Sequence, residues 1–416
     1  MTSALFSLIF LLFLLMSLLF RMTLNIRQIT AIQEHRDTLP QLFAGIIPLQ
    51  SHQRAADYNR AKLRLNLVGY AVGALLALGL TLCGGLQWLY ETLAQVSAPH
   101  GLPHGLLLLA ALIVIQMLID LPFSIYSTFV IEKKFGFNHM TPGLFVTDIL
   151  HVAVLGCTIG LPVLAAVLWL TQAMGALWWL WVWLFWLGFN LAAQLIWPNF
   201  IAPLFNQFTP LPDGDLKTRI ETLLQRCGFH CSNLFVMDGS RRSSHGNAYF
   251  TGFGTSKRIV LFNTLLNKLN PEEIEAVLAH ELGHFHYHHI WKRLLAIAAL
   301  ALGILWLCSW LFRQDWFYYG LGMRQQDLAS ALALLMLTLP FFLFPVSPVM
   351  NRWSRMHEFQ ADAYAATQAR ASDLTGALIK LYRDNASTLT PDPLYSSCFD
   401  SHPPAVLRIS KLQATH

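Results

Sequence analysis

The sequence predicts an all-α polytopic membrane protein with seven transmembrane helices and a small α+β region on the cytosolic side. Three observations predict it. Hydrophobic residues make up 55% of the 416 and charged ones only 12%, where an ordinary soluble domain carries about a quarter charged. Seven stretches are apolar over roughly the 20 residues that a bilayer core demands of a helix. Of the 28 Lys and Arg, 26 fall on one side of the resulting topology, the positive-inside signature. The same composition excludes a disordered chain, a fibrous repeat and a disulfide-built secreted scaffold.

In order, the spans are 4–20, 65–90, 105–131, 149–171, 174–197, 294–312 and 328–351. The first has no positive charge before it and Arg21 and Arg27 after it, so it reads as a retained anchor with the N-terminus outside. The third carries Asp120, a costly residue in a span, which faces a polar interior or snorkels near a helix end. The fourth and fifth lie in a stretch, 149–212, without a single Lys, Arg, Asp or Glu. Only residues 171–173 separate them, which predicts a tight helical hairpin. Pro340, Pro345 and Pro348 in the last span point to a kink and to nothing functional.

Four regions follow: 1–197 with the first five spans, 198–293 as a cytosolic catalytic region, 294–351 with the last two spans, and 352–416 as a cytosolic C-terminal region. The net charge of +5 does not imply nucleic acid, because Lys and Arg form no basic stripe. It reports topology, and the lipid bilayer is the partner it implies. The six cysteines, at 83, 157, 227, 231, 308 and 398, contain no CxxC pair and read as free thiols rather than a zinc knuckle.

The chemistry lies in 198–293. Asn270-Pro271-Glu272-Glu273 is a helix start, with a capping side chain, Pro at the first helical position and acids at the positive end of the dipole. The helix runs into His280-Glu281-Leu282-Gly283-His284, an HExxH motif. His280 and His284 are one turn apart and can take two corners of a zinc tetrahedron. Glu281 points about 100° away round the axis, off the ligand set but near enough to act as general base on a water. His286, His288 and His289 follow directly; helix geometry turns 286 and 288 off the metal face, so they read as ordinary polar residues at the membrane entrance.

A catalytic zinc needs a third protein ligand and one open position. Beyond the last span, Glu358 and Asp362 stand four apart in a stretch without Pro or Gly. One can ligate while the other accepts the outward N–H of a ligand histidine; a solvated helix with two acids is the plain alternative. Upstream of the motif, 234–238, 247–252 and 257–263 read as strands of a small sheet, whose edge could hold an extended peptide by main-chain pairing.

Six stretches, FVIEKKFGFN (129–138), PNFIAPLFNQFTPL (198–211), RSSHGNAYFTGFG (242–254), VLAHELGHFHYHH (277–289), SRMHEFQADAYA (354–365) and SHPPAVLR (401–408), carry a resemblance. The chain resembles the type I CAAX prenyl endopeptidases, membrane zinc metalloproteases that trim farnesylated C-termini in eukaryotes and have bacterial relatives. The resemblance implies a hollow barrel of seven tilted helices with a zincin-like metalloprotease domain capping it on the cytosolic side. It implies one Zn2+ held by His280, His284 and Glu358, with Glu281 activating water and Asp362 supporting a ligand. It further implies that Asn247 and Ala248 lie on a substrate-pairing strand, and that His402 and Arg408 bind substrate or the developing oxyanion. The chain ends in ATH without a retention signal, from which a bacterial inner membrane is expected, and with it substrates that include unstructured or misfolded polypeptides beside prenylated C-termini. Two other readings stand beside this one. An intramembrane protease of the site-two type fits less well, since PEEIEAVLAH is too polar for lipid; a non-catalytic zinc-binding scaffold or transporter would have no use for Glu281.

Overall fold

The computed structural model describes residues 1–229, 233–251 and 258–414. Among the described residues, six helices are long and apolar enough to cross a membrane: Ser3–Glu34, Leu49–Leu80, Leu102–Glu132, Pro142–Ala173, Gly175–Phe205 and His289–Leu311. The first five have 31 or 32 residues, about 48 Å of helix against a hydrocarbon core of roughly 30 Å. Their ends therefore leave the bilayer as helix. In Ser3–Glu34 the surplus carries Arg21, Asn25 and Gln28, of which Asn25 and Gln28 are buried against protein.

The seventh span is broken. Leu328–Phe342 and Val346–Gln368 meet at 64°, so the apolar stretch expected as one span to residue 351 ends at Phe342. Pro345 sits at the joint and Pro348 in the next turn; each removes a backbone donor and crowds the carbonyl of the preceding turn. The bend swings the second helix toward the polar region, with Glu358 and Asp362 on it. The second span also ends early, at Leu80 rather than 90. Gly84 takes φ +78, and a Cβ on Gly85 would lie 2.6 Å from the Gly79 carbonyl oxygen. Hydropathy does not register such a reversal, which glycine alone permits here.

The expected hairpin between the fourth and fifth spans is present, turning at Gly175 with φ +54. Asp120 lines a cavity of about 430 Å³ with Asn66, Tyr70, Gln116, Ser124 and Ser127 and accepts a hydrogen bond from Gln116 at 3.2 Å. It faces polar space between helices, as the hollow barrel provides.

The polar region holds a four-stranded sheet of β1 (Phe208–Pro210), β2 (Asn233–Met237), β3 (Ala248–Thr251) and β4 (Arg258–Phe262), in the order β1-β2-β4-β3. β2 and β4 are parallel and both outer pairs antiparallel. The sequence anticipated β2, β3 and β4 but not β1, whose three residues include a proline. Gly252 and Lys257, expected at strand ends, and Cys231 lie outside the described residues. Ile259 and Leu261 of β4 share one core with Ile274, Leu278 and Leu282 of the HExxH helix and with Ile409 near the C-terminus. Arg242 ties this region to the membrane helices through two hydrogen bonds to Asp148, at 2.9 and 2.7 Å.

Candidate metal centre

The helix Pro271–His286 begins with a complete capping box. Asn270 Oδ1 accepts from the Glu273 amide at 2.8 Å, and Glu273 Oε2 accepts from the Asn270 amide at 2.9 Å, so two orphan donors are satisfied at once. Opposite, the helix Val346–Gln368 packs unusually close. A Cβ on Gly283, inside HExxH, would lie 2.9 Å from Ala361 Cα. The missing side chain lets the two helices approach and brings Glu358 to the histidines.

His280 Nε2 and His284 Nε2 are 3.3 Å apart. Glu358 Oε2 is 3.5 Å from the first and Glu358 Oε1 3.4 Å from the second. The group lies within 4.8 Å and is the one such set of His, Cys, Asp and Glu among the described residues. Ligand bonds of 2.0–2.1 Å in a tetrahedron give edges of about 3.3–3.4 Å. The three donors thus already stand at the corners that such an ion would require, and their chemistry, two imidazoles and a carboxylate, fits it.

Asp362 Oδ1 lies 2.8 Å from His280 Nδ1, on the side of the ring away from the cluster. His280 is pushed up to about 9: burial opposes its charge, but Asp362 and Glu358 outweigh it. Glu281 is raised above the usual carboxylate range by burial, with His280 and His284 pulling back; a base that is harder to ionise holds a proton better once it takes one. His402 Nε2 is 3.4 Å from Glu358 Oε1, and 61% of its side chain stays exposed, so it reaches the cluster and remains open to a substrate.

Arg408 is buried beside the cluster. Its Nε and Nη2 donate to Asp362 at 2.8 and 2.6 Å, Nη1 is 3.6 Å from Glu358 Oε2, and only 7% of the side chain is exposed. The guanidinium fork is committed to Asp362, with Glu358 within ion-pair distance.

Asn247 directly precedes β3, an edge strand. The Asn247 carbonyl accepts from the Phe262 amide at 3.1 Å. Alternation along an antiparallel ladder then points the Ala248 main chain outward. Gly246 is gripped on both sides by the Asn385 side chain, which accepts from its amide at 3.1 Å and donates to its carbonyl at 3.3 Å. Beyond β3 opens a cavity of about 780 Å³ lined by Trp197, Phe250, Phe285, Trp291 and His284. His286 and His288 line it too and stand outside the metal-type group.

Sequence reasoning missed Gly283, Asn385 and His289. His289 Nδ1 lies 3.0 Å from His284 Nδ1. The HExxH spacing contains Gly283 but gives no sign of the approaching helix, and the run of histidines hides which one turns back.

Known proteins match this chain over nearly its whole length. Residues 28–207 match the family described as CAAX prenyl protease N-terminal, five membrane helices, and residues 210–416 match peptidase family M48. The chain is 37% identical over 404 residues to a CAAX prenyl protease 1 homolog of Arabidopsis thaliana, covering 95% of each. It is 36% identical over 420 residues to CAAX prenyl protease 1 of Saccharomyces cerevisiae, covering 94% of this chain and 92% of the other. The crystal structure of S. mikatae Ste24p superposes with a TM-score of 0.91 at 34% identity, over 98% of both chains. Fold and site define an integral-membrane metallopeptidase. Within that class, the chain belongs to the CAAX prenyl protease 1 family of M48 peptidases. The relatives named here are eukaryotic and lend no support to the expected bacterial inner membrane. The HExxH helix is not one of the apolar helices, against a site-two arrangement.

Proposed function

We propose that the protein is a zinc endopeptidase that cuts extended polypeptides at its cytosolic face, with prenylated C-termini among its substrates. The observation that carries this is the convergence of His280 Nε2, His284 Nε2 and Glu358 at tetrahedral-edge distances. Zinc, when bound, supplies Lewis-acid polarisation of a carbonyl and an acidified water. Glu281 takes a proton from the attacking water and passes it to the leaving amine. His402, exposed beside Glu358, donates to the oxyanion that develops at the scissile carbonyl. Asp362, 2.8 Å from His280 Nδ1, favours the proton on that nitrogen and so leaves the Nε2 lone pair for the metal; Arg408 donates to Asp362. Ala248 turns its main chain to the free edge, where a substrate strand could pair, and the Asn247 side chain accepts from the Ala248 amide at 2.9 Å. The nearby aromatic cavity of about 780 Å³ suits an apolar group carried next to the scissile bond.

Main-chain pairing selects extended chains and discriminates weakly among side chains. Unprenylated, unstructured peptides are therefore expected to be cut at several sites, with a prenyl group raising the rate. Paired digestion of one peptide with and without the lipid, read by mass spectrometry, tests this; complete dependence on the lipid would restrict the enzyme to CAAX trimming. Orientation rests on the 26 of 28 Lys and Arg on one side. Reporter fusions at His416 and near Asp315 are expected to give opposite results, and equal signals would rule out a cytosolic site reached by seven spans.

A further inference from the structure

We propose that His289 and Gln360 form a neutral hydrogen-bond relay that fixes the tautomer and orientation of His284, as Asp362 does for His280. This rests on the reading of His280, His284 and Glu358 as metal ligands. His284 Nε2 faces His280 Nε2 at 3.3 Å and Glu358 Oε1 at 3.4 Å, so it is the nitrogen that must keep a free lone pair. The proton of a neutral His284 then sits on Nδ1. The partner of that atom is His289 Nδ1, at 3.0 Å, and two nitrogens at that distance share one proton. With the proton on His284, His289 Nδ1 accepts, and the proton of His289 moves to Nε2. That atom is 2.8 Å from Gln360 Oε1, an acceptor. The reverse order would put a proton on His284 Nε2, against the metal position. Ligation therefore selects one direction along the whole chain.

The central member of the relay is held. His289 is 4% exposed, and its ring stacks on His357 with centroids 3.8 Å apart and planes within 10°. In an unbroken helix a residue five positions after His284 would lie about 140° round the axis. His288 takes φ +56, a left-handed conformation uncommon outside glycine, and this joint returns His289 to the histidine it would otherwise leave. His289 is also the first residue of the membrane helix His289–Leu311. One helix, Val346–Gln368, thus carries Glu358 and the terminal acceptors for both histidines: Asp362 directly, Gln360 through His289. His280 receives an anionic partner neutralised by Arg408, and His284 an uncharged one.

His289→Leu removes the acceptor, whereas His289→Asn returns an acceptor oxygen at the Nδ1 position. Gln360→Met removes the far end of the relay without touching either histidine. The measurement is zinc affinity of the purified full-length protein by chelator competition, beside the melting temperature of the metal-free protein. His289→Leu is expected to bind zinc about 10- to 100-fold more weakly, His289→Asn to recover most of that, and Gln360→Met to lose several-fold, all with little change in metal-free melting. Zinc binding as tight as the parent in both His289→Leu and Gln360→Met would overturn the relay. Equal loss in His289→Asn and His289→Leu, with lowered melting in both, would make His289 a packing residue and overturn it too. Undiminished zinc binding in His284→Ala would instead sink the ligand assignment underneath.

Discussion

Glu281→Gln is expected to retain the metal and lose about 100- to 10,000-fold in turnover, the range for removal of a general base. The amide keeps the shape of the side chain but cannot accept a proton from water. The ligand group of His280, His284 and Glu358 does not include it, so zinc content should match the parent. Glu358→Ala is the control: it removes one of the three donors, and zinc affinity and turnover are expected to fall together. Metal analysis of both variants next to single-turnover cleavage separates binding from chemistry. Near-full activity in Glu281→Gln would show that another group takes the proton.

Arg408→Ala is expected to destabilise the fold by about 3–5 kcal/mol, the usual result of leaving a buried charge without its partner. Asp362 accepts both of its short hydrogen bonds and Glu358 lies at 3.6 Å; without the guanidinium the buried Asp362 would keep His280 Nδ1, at 2.8 Å, but lose both of these bonds. The variant should melt earlier and bind zinc less tightly. His402→Ala should behave in the opposite way, with melting unchanged and turnover reduced about 100-fold, since an exposed donor to an oxyanion contributes mainly in the transition state. A normally stable Arg408→Ala with a large loss of turnover would return Arg408 to direct contact with the reaction.

The contrast between these two residues marks where reading the chain stops. SHPPAVLR supplies both His402 and Arg408, and nothing in its spacing separates an imidazole open to substrate from a guanidinium spent on a carboxylate. Arg408 meets Asp362 across 46 positions, which only the docking of the helix Ala405–Gln413 arranges. The pair Glu358 and Asp362 was legible as a pair, because acids four apart share a helix face, while their division of labour came from the resemblance. His289 was hidden for a related reason: helix periodicity carries it off the metal face, and the left-handed joint at His288 is not written in residue type.

What the sequence by itself determined is therefore what short-range geometry controls: the apolar spans, the capped start at Asn270, and two histidines with a glutamate between them on one helix. Each depends on residues within a few turns of one another. Tertiary structure decided where the bend announced by the prolines points, turning the Glu358 helix toward the site, and the close approach at Gly283 that brings its carboxylate 3.4–3.5 Å from two imidazoles. It also decided the partners behind each ligand. Apart from His284 with His289, those contacts join residues 46 to 82 positions apart, and packing free energy summed over the shared core, rather than any local preference, selects which of them meet.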